Sequence, residues 1–290
     1  MAVLFDGLAY GMLLFLMSAG LSITMGLMNF VNLAHGVFAM MGGYLALFIS
    51  KHSQLSFVPI LPLVFINCFI VGLVLERLLF RRFYERSALD QVLFSIGLVF
   101  VFVAAATFVF GPSVHTLQLP SYFKGQVYFF NFGLGRYRLF LIAFGLSIAV
   151  LMWWVVSSTR FGAMIRASVN NSSVASGMGI NVNRLFVLTF AIGSGLAGLG
   201  GALSLELLSM EPSFPLKYMV YFLLVVSMGG AGTLLGPFVA AIMIGVVDTA
   251  SKYYMPELGG FMVYLLMVMV LVIRPQGIVR KPGSLSGSTL

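Results

Sequence analysis

Apolar stretches long enough to cross a lipid bilayer recur along this sequence. A helix needs roughly 20 mostly apolar residues to span the hydrocarbon core. We predict apolar helices at about 4–27, 35–50, 57–80, 92–110, 138–156, 185–205, 216–228, 234–252 and 259–273. The segments 35–50 and 216–228 are short for a complete crossing. We expect each to be a half-helix or a tilted span, which gives about eight or nine membrane helices.

The composition excludes a water-soluble fold. Of the 290 residues, 60% are hydrophobic and only 8% are charged. A soluble domain usually carries about 25% charged residues, because these cover its surface. The predicted fold class is therefore an all-α polytopic membrane protein, with residues 1–290 forming a single transmembrane domain.

Most of the lysines and arginines lie in three segments: the turn 77–91, the loop 159–184 and the tail 274–290. Cytoplasmic loops of membrane proteins are enriched in these residues, so we place all three segments in the cytoplasm and the N-terminus outside. The loop 111–137 is then external, and its alternating "QVYFFNF" predicts a short hairpin or strand. Contact with anionic lipid headgroups explains the net charge of +8 without nucleic acid.

The stretch "NFVNLAHG" places Asn29, Asn32 and His35, followed by Gly36, between two apolar runs. An unpaired polar group in lipid costs several kcal/mol, so these side chains should not face hydrocarbon. They either line a solvent-accessible path or tie helices together. The alternative is a cytoplasmic turn in which Asn29 caps the end of one helix and Asn32 the start of the next.

A second interruption lies in "SMGGAGTLLGPFVAAIMIG", residues 227–245. Gly229, Gly230 and Gly232 break an apolar segment, and a helix restarts near Thr233. Interrupted helices in corresponding positions of two halves indicate an inverted repeat and a transporter's substrate pathway. The free N–H groups of a restarting helix suit a carboxylate. Alternatively, these glycines only allow close helix contact.

The predicted helix 185–205 carries small residues at four-residue spacing. One row contains Gly193, Ala197 and Gly201, and a second row follows one position later with Ser194, Gly198 and Ala202. Such rows let neighbouring helix backbones approach closely in a membrane. We interpret both rows as packing surfaces.

The loop 159–184 is too long for a tight turn and too polar to span the membrane. Its "NNSS" run could cap a short helix that follows Arg166 and Ala167, with Gly177 and Gly179 as stop signals. Such a helix would expose small side chains that fit a groove on a partner. An ordinary connecting loop is the other interpretation, and the residues alone do not separate the two.

The sequence offers no catalytic or metal site. His35, His52 and His115 lie in three different segments, and no paired acids occur within one apolar run. The ATP-binding motif G-x-x-x-x-G-K-[ST] does not occur, so we expect no cofactor in this chain. An ion-coupled carrier would need carboxylates or histidines inside the membrane. The acids lie at helix ends or in loops, with Asp248 as the one candidate exception.

Four stretches resemble the signature regions of one family, in the same order and spacing. They are "NLAHGVFAMMGGYLA", "RASVNNSSVASGMGINVNRLFVLTFAIGSGLAGLGGAL", "MGGAGTLLGPFVAAIMIG" and "LVIRPQGIV". The chain thereby resembles, from about Gly11 to Gly277, the permease subunits of bacterial branched-chain amino acid ABC importers, the hydrophobic amino acid uptake family.

The resemblance implies a multi-pass protein of the bacterial inner membrane that pairs with a second, related permease. Two cytoplasmic ATPase subunits would hydrolyse ATP and dock around Arg166 to Gly179, and a periplasmic binding protein would deliver the small-molecule substrate. The breaks at Asn29–Gly36 and Gly229–Thr233 would line an alternating-access path. Val37 stands where many members carry an acidic residue, so the substrate stays open between branched-chain amino acids, amides, urea and aromatic acids. The alternative function is an ion-coupled transporter or channel for a small polar solute.

Overall fold

All nine predicted apolar helices are present in the computed structural model, which describes residues 2–28, 30, 32–53, 55–129 and 132–279. Two further short helices occupy the loop after the fifth. In chain order the helices are α1 Ala2–Met28, α2 His35–His52, α3 Phe57–Leu78, α4 Ala88–Phe110, α5 Arg136–Ser158, α6 Arg160–Asn170, α7 Ser172–Gly177, α8 Val182–Ser204, α9 Phe214–Gly229, α10 Leu235–Tyr254 and α11 Gly259–Ile273.

Within the described part of the chain, seven helices are long and apolar enough to cross a membrane: α1, α3, α4, α5, α8, α10 and the segment Pro256–Ile273 that contains α11. The other two predicted spans are shorter, at 18 residues for α2 and 16 for α9. The all-α polytopic fold is therefore confirmed.

Two helices, α1 and α8, form the centre of the molecule. Both are buried along most of their length, whereas α4, α5 and α11 expose most of theirs. The two run in opposite directions, with Gly20 against Gly193 and Met17 against Gly200. The small-residue rows of α8 are the packing surfaces that we predicted, because Gly201 meets the Ala39 backbone of α2 and Ser194 meets Gly72 of α3.

The central helices of the two halves, α1 and α8, run in opposite directions, and each packs against the helices that follow the other. Helix α1 packs against α8, α9 and α10, while α8 packs against α1, α2 and α3. This exchange matches α1–α3 with α8–α10, as in an inverted repeat. The break after α1 therefore corresponds to residues 205–213, between α8 and α9. We had paired the break after α1 with the glycine break, which lies one helix further along the chain, between α9 and α10. That pairing was wrong. Both breaks interrupt an apolar stretch in the same way, and only the helix packing shows that they do not correspond.

The loops gather at two ends. At one end lie the arginine-rich turn 79–87, helices α6 and α7, and the glycine break. At the other end, the loop that follows α4 meets the loop 205–213, where the His115 and Met210 backbones exchange hydrogen bonds of 2.7 Å. The predicted external hairpin is present as β1 Gln126–Phe129 and β2 Phe132–Gly135, paired antiparallel.

Candidate functional site

In the polar break after α1, the described residues Phe30 and 32–34 are non-helical and mostly buried. Asn32 is 2% exposed, and its Oδ1 accepts a hydrogen bond from the Ala34 N–H at 3.0 Å. Helix α2 begins at His35, and its N-cap position is Ala34 rather than the predicted Asn32. Asn32 instead bonds the backbone two residues on, which turns the chain just before the helix. Asn29 lies outside the described residues.

His35 is placed deep in the molecule rather than at its surface. It is 3% exposed, and its ring lies beside the backbone of Met17. Met17 precedes the end of α1 by eleven residues, which is about 16 Å along a helix. His35 Nε2 and Asn32 Nδ2 are buried with no hydrogen-bond partner in the described residues. Two polar groups are thus left available within the membrane domain.

The first turns of α2 and α9 meet at this point. A Cβ placed on Gly36 would lie 3.2 Å from the Pro215 Cα and 3.3 Å from the Phe222 ring. Only glycine therefore fits here without a shift of the neighbouring helix. Helix N-termini carry unpaired N–H groups and a partial positive charge. The His35 and Val37 N–H groups already donate to the Asn32 and Ala34 carbonyls, and Pro215 has no N–H, so these ends contribute mainly their partial positive charge. Beside the Asn32 amide, that charge suits a carboxylate.

The glycine break lies between α9 and α10. Gly230 has φ 96° and Gly232 φ 85°, a backbone region that favours glycine. The Gly232 N–H donates to the Ser22 carbonyl at 2.9 Å, and Ser22 Oγ donates to the Thr233 carbonyl at 2.9 Å. Helix α10 begins at Leu235, two residues after the predicted restart at Thr233. The break is thus fastened to the second half of α1.

A segment near the C-terminus completes the glycine break. The Ile278 N–H donates to the Met228 carbonyl at 2.7 Å, and the Val279 N–H donates to the Gly229 carbonyl at 3.3 Å. These bonds satisfy carbonyls in the last turn of α9 that have no partner within the helix. No local pattern indicates this contact or the role of Ser22, since both partners are distant along the chain. Residues 280–290 of the predicted cytoplasmic tail are outside the described residues.

The predicted site residues form two clusters rather than one. Gly36 contacts α9 at Phe222, and Gly229 follows Phe222 by seven residues, or about 10 Å of helix. The unpaired groups of Asn32 and His35 belong to the first cluster. Gly229, Gly230, Gly232 and Thr233 form the second, where Gly26 of α1 packs directly on Gly232. This close contact is what the packing interpretation of these glycines requires.

The predicted short helix in the loop 159–184 is confirmed as α7, and α6 precedes it. The Thr159 side chain caps α6 through the Gly162 N–H, and the Asn171 side chain caps α7 through the Val174 N–H. Gly179 follows with φ 86°. Of the four predicted docking residues, Arg166, Gly177 and Gly179 are exposed and Ala167 is half-buried. Two apolar side chains are exposed here without any local pattern that predicts it, Val174 at 58% and Met178 at 75%.

The two buried acids in the described helices differ in how far they are paired, since Glu76 Oε2 is buried without a hydrogen-bond partner in the described residues. Asp248 is 2% exposed and binds Lys252 Nζ at 2.6 Å and the Tyr221 hydroxyl at 3.1 Å. Glu76 accepts a hydrogen bond from the Tyr84 hydroxyl at 2.6 Å. No group of three or more His, Cys, Asp or Glu side chains in the described ranges could hold a metal ion.

Comparison with known proteins gives one consistent result. Residues 3–271 match the family described as "Branched-chain amino acid transport system / permease component". The chain is 27% identical to the probable branched-chain amino acid transport permease protein LivH of Methanocaldococcus jannaschii, over 95% of this chain and 91% of that protein. It is 23% identical to the high-affinity branched-chain amino acid transport system permease protein LivH of Escherichia coli K12, over 96% and 95%.

A more distant similarity covers part of the molecule. The ribose import permease protein RbsC of Haemophilus influenzae is 28% identical over 120 residues, which is 37% of each chain. No solved structure matches the chain.

Proposed function

This chain belongs to the family of permease components of branched-chain amino acid transport systems, and we propose that its substrate is an amino acid with an apolar side chain. It is a multi-pass permease subunit of an amino acid ABC importer in the inner membrane. The proposal gives ATP hydrolysis to separate ATPase subunits and neither catalysis nor a cofactor to this chain.

The observation that carries the proposal is the meeting of α2 and α9 beside unpaired polar groups. The Asn32 amide is a hydrogen-bond donor and both helix ends are partially positive, so the carboxylate of an amino acid fits there. Val37, Phe38 and Phe222 are buried around this point and supply apolar surface for the substrate's side chain. These surroundings favour leucine, isoleucine or valine over urea or a simple amide.

We further propose alternating access, in which this conformation is closed. Asn32 and His35 are covered by the chain itself, so substrate passage requires α2 and α9 to separate. The ATPase subunits would contact α6 and α7 and move them. Ile165 of α6 packs against Ile23 and Leu27 of α1, and Ser22 of α1 is bonded to the glycine break. Movement of α6 can therefore reach the glycine break at the end of α9.

The remaining partners follow from the importer class. A second, related permease would complete the path, and a periplasmic binding protein would deliver substrate to the outer end. An ion-coupled carrier is the rival function. It receives less support, because Asp248, the acid expected to serve a relay, is already bound to Lys252 and Tyr221.

The test removes the unpaired Asn32 Nδ2 and His35 Nε2 groups but keeps a side-chain acceptor for the Ala34 N–H, which forms the turn before α2. A serine at position 32 can still accept from the Ala34 N–H, so we expect Asn32→Ser combined with His35→Ala to retain assembly. Leucine uptake by the assembled complex should fall about tenfold or more, as expected when two hydrogen bonds to a charged group are lost.

Ser18→Ala is the matched control. Ser18 is as deeply buried, but its hydroxyl bonds its own helix at the Leu14 carbonyl, so uptake should change less than about twofold. Unchanged uptake in an assembled Asn32→Ser/His35→Ala complex would show that the proposed carboxylate site is wrong.

A further inference from the structure

A cavity of about 450 Å³ opens where the end of α3 approaches the start of α8, at the arginine-rich end of the molecule. Arg77, Arg81 and Arg184 line it, together with the amides of Asn181 and Asn183. None of the three arginines forms an ion pair with another described residue. Glu76 is the neighbour of Arg77 along α3, but its carboxylate is buried against Tyr84. Glu76 is the one described acid that interacts with Arg77 and Arg81, and it is not among the lining residues. The cavity therefore keeps an excess of positive charge, with three arginines and one neighbouring acid.

A second, larger groove lies between α3, α5 and α8. Its volume is about 780 Å³, and it is floored by Gly20 and Gly193 and walled by apolar side chains such as Ile66, Phe144 and Ile192. The Thr189 hydroxyl is the one polar side-chain group among its described lining residues. The groove is lined by residues of the membrane-spanning parts of these helices. A surface of this kind excludes water and accepts hydrocarbon.

The cavity and the groove lie along the same seam between α3 and α8. On α8, lining residues recur at every fourth position, in the row Arg184, Leu188, Ile192 and Leu196. On α3, lining residues also recur at helical spacing, in the row Pro62, Ile66, Leu73 and Arg77. Residues four apart share one face of a helix. Ile192 in the groove is thus about 12 Å of helix from Arg184 in the cavity.

We propose that this seam binds one anionic phospholipid. The phosphate lies among Arg77, Arg81 and Arg184, and an acyl chain runs from there into the apolar groove. Arginine forks bind phosphate oxygens through paired, charge-assisted hydrogen bonds. Basic pockets between membrane helices on the cytoplasmic side are suited to anionic headgroups. A soluble phosphate would satisfy the cavity but leave the groove uncovered, whereas a phospholipid matches both.

The full-length protein in mild detergent tests this by native mass spectrometry with added phosphatidylglycerol or phosphatidylcholine. Both lipids carry a phosphate, but only phosphatidylglycerol has a net negative headgroup for the arginines to neutralise. We therefore expect phosphatidylglycerol to bind about tenfold more tightly than phosphatidylcholine. Arg77→Gln/Arg184→Gln should abolish this preference. The matched control is Arg82→Gln/Arg86→Gln, which removes the same charge from a separate cavity beside α4 and should retain it.

A second pair of variants separates a lipid from a soluble phosphate. Ile66→Trp fills the groove and leaves the arginines intact, so phosphatidylglycerol binding should weaken about fivefold to tenfold through lost apolar burial. Val74→Trp, on the same helix but outside both cavities, should leave binding unchanged; Val74 is 43% exposed. Millimolar glycerol phosphate should not displace the lipid.

Three results would overturn the proposal. The first is equal binding of the two phospholipids by the unmodified protein, and the second is a preference that survives Arg77→Gln/Arg184→Gln. The third is displacement by glycerol phosphate together with unchanged binding in Ile66→Trp, which would assign the arginines to a soluble phosphate. Each readout is independent of uptake, so failure here leaves the transport proposal untouched.

Discussion

Single glycines set the distance between the central helices of this protein. Gly20 lies against Gly193 where α1 crosses α8, and Gly26 lies against Gly232 where α1 meets the glycine break. In both places the backbones are too close for a Cβ atom. Close approach lets the two interrupted segments of the chain pack on one straight helix, α1.

We predict that Gly26→Ala destabilises the protein by about 1–3 kcal/mol, the usual cost of overpacking a tight contact. The added methyl group would overlap the Gly232 backbone, which is fixed by its bond to Ser22. The measurement is the thermal unfolding midpoint in detergent.

Gly97→Ala is the matched control for this prediction. Gly97 is also inside a membrane helix, but nothing lies within 4 Å of its added Cβ. It should be neutral or stabilising by up to about 1 kcal/mol, since alanine has the higher helix propensity. Equal midpoints for the two variants would show that the α1–break contact is loose.

For single residues, the sequence predicted which positions are unusual but not which residues they contact. Asn32 and His35 stand out because polar groups are costly in an apolar stretch. That His35 lies beside Met17, and that Gly36 meets Pro215, depends on how α1 and α9 pack. Such contacts join residues far apart along the chain, and no local pattern encodes them.

Among the helices, α6 and α7 are the ones suited to a soluble partner. They lie at the arginine-rich end, are capped by Thr159 and Asn171, and expose Val174 and Met178. Exposed apolar side chains on a polar surface are typical anchors for a protein interface.

We predict that Val174→Glu/Met178→Glu reduces co-purification of the ATPase subunits at least about tenfold, because a charge buried at an interface without a partner is costly. The measurement is a pull-down of the tagged chain in mild detergent. Val127→Glu adds a charge to an exposed apolar position on β1, at the opposite end, and should leave co-purification unchanged. Full recovery of ATPases by the double variant would place their docking surface elsewhere.

At the element scale, helix positions were predictable because membrane spans are encoded by local hydrophobicity. The cap of α7 was also predictable, since an asparagine before a short helix is a local signal. The correspondence of the two breaks was not. The break after α1 matches residues 205–213 only because α1 and α8 exchange neighbours, and that exchange is a property of packing.

In the complete protein, these features connect the arginine-rich end, where we propose that the ATPases dock, to the membrane interior. Helix α6 packs on α1, and α1 holds the glycine break at the end of α9 and lies beside His35 at the start of α2. A shift of α1 relative to α8 would therefore act on both interrupted segments at once. This arrangement fits a permease whose conformational change is driven by separate subunits, rather than an ion-coupled carrier driven by protonation of its own buried acids.

The most direct test of this account is leucine uptake into proteoliposomes, with the chain reconstituted alone or together with its partner permease, ATPase subunits and binding protein. We predict uptake only in the complete assembly and only with ATP, and none by the chain alone under an imposed proton or sodium gradient. Gradient-driven accumulation by the chain alone, without ATP, would contradict the assignment to an ABC importer and identify a secondary carrier.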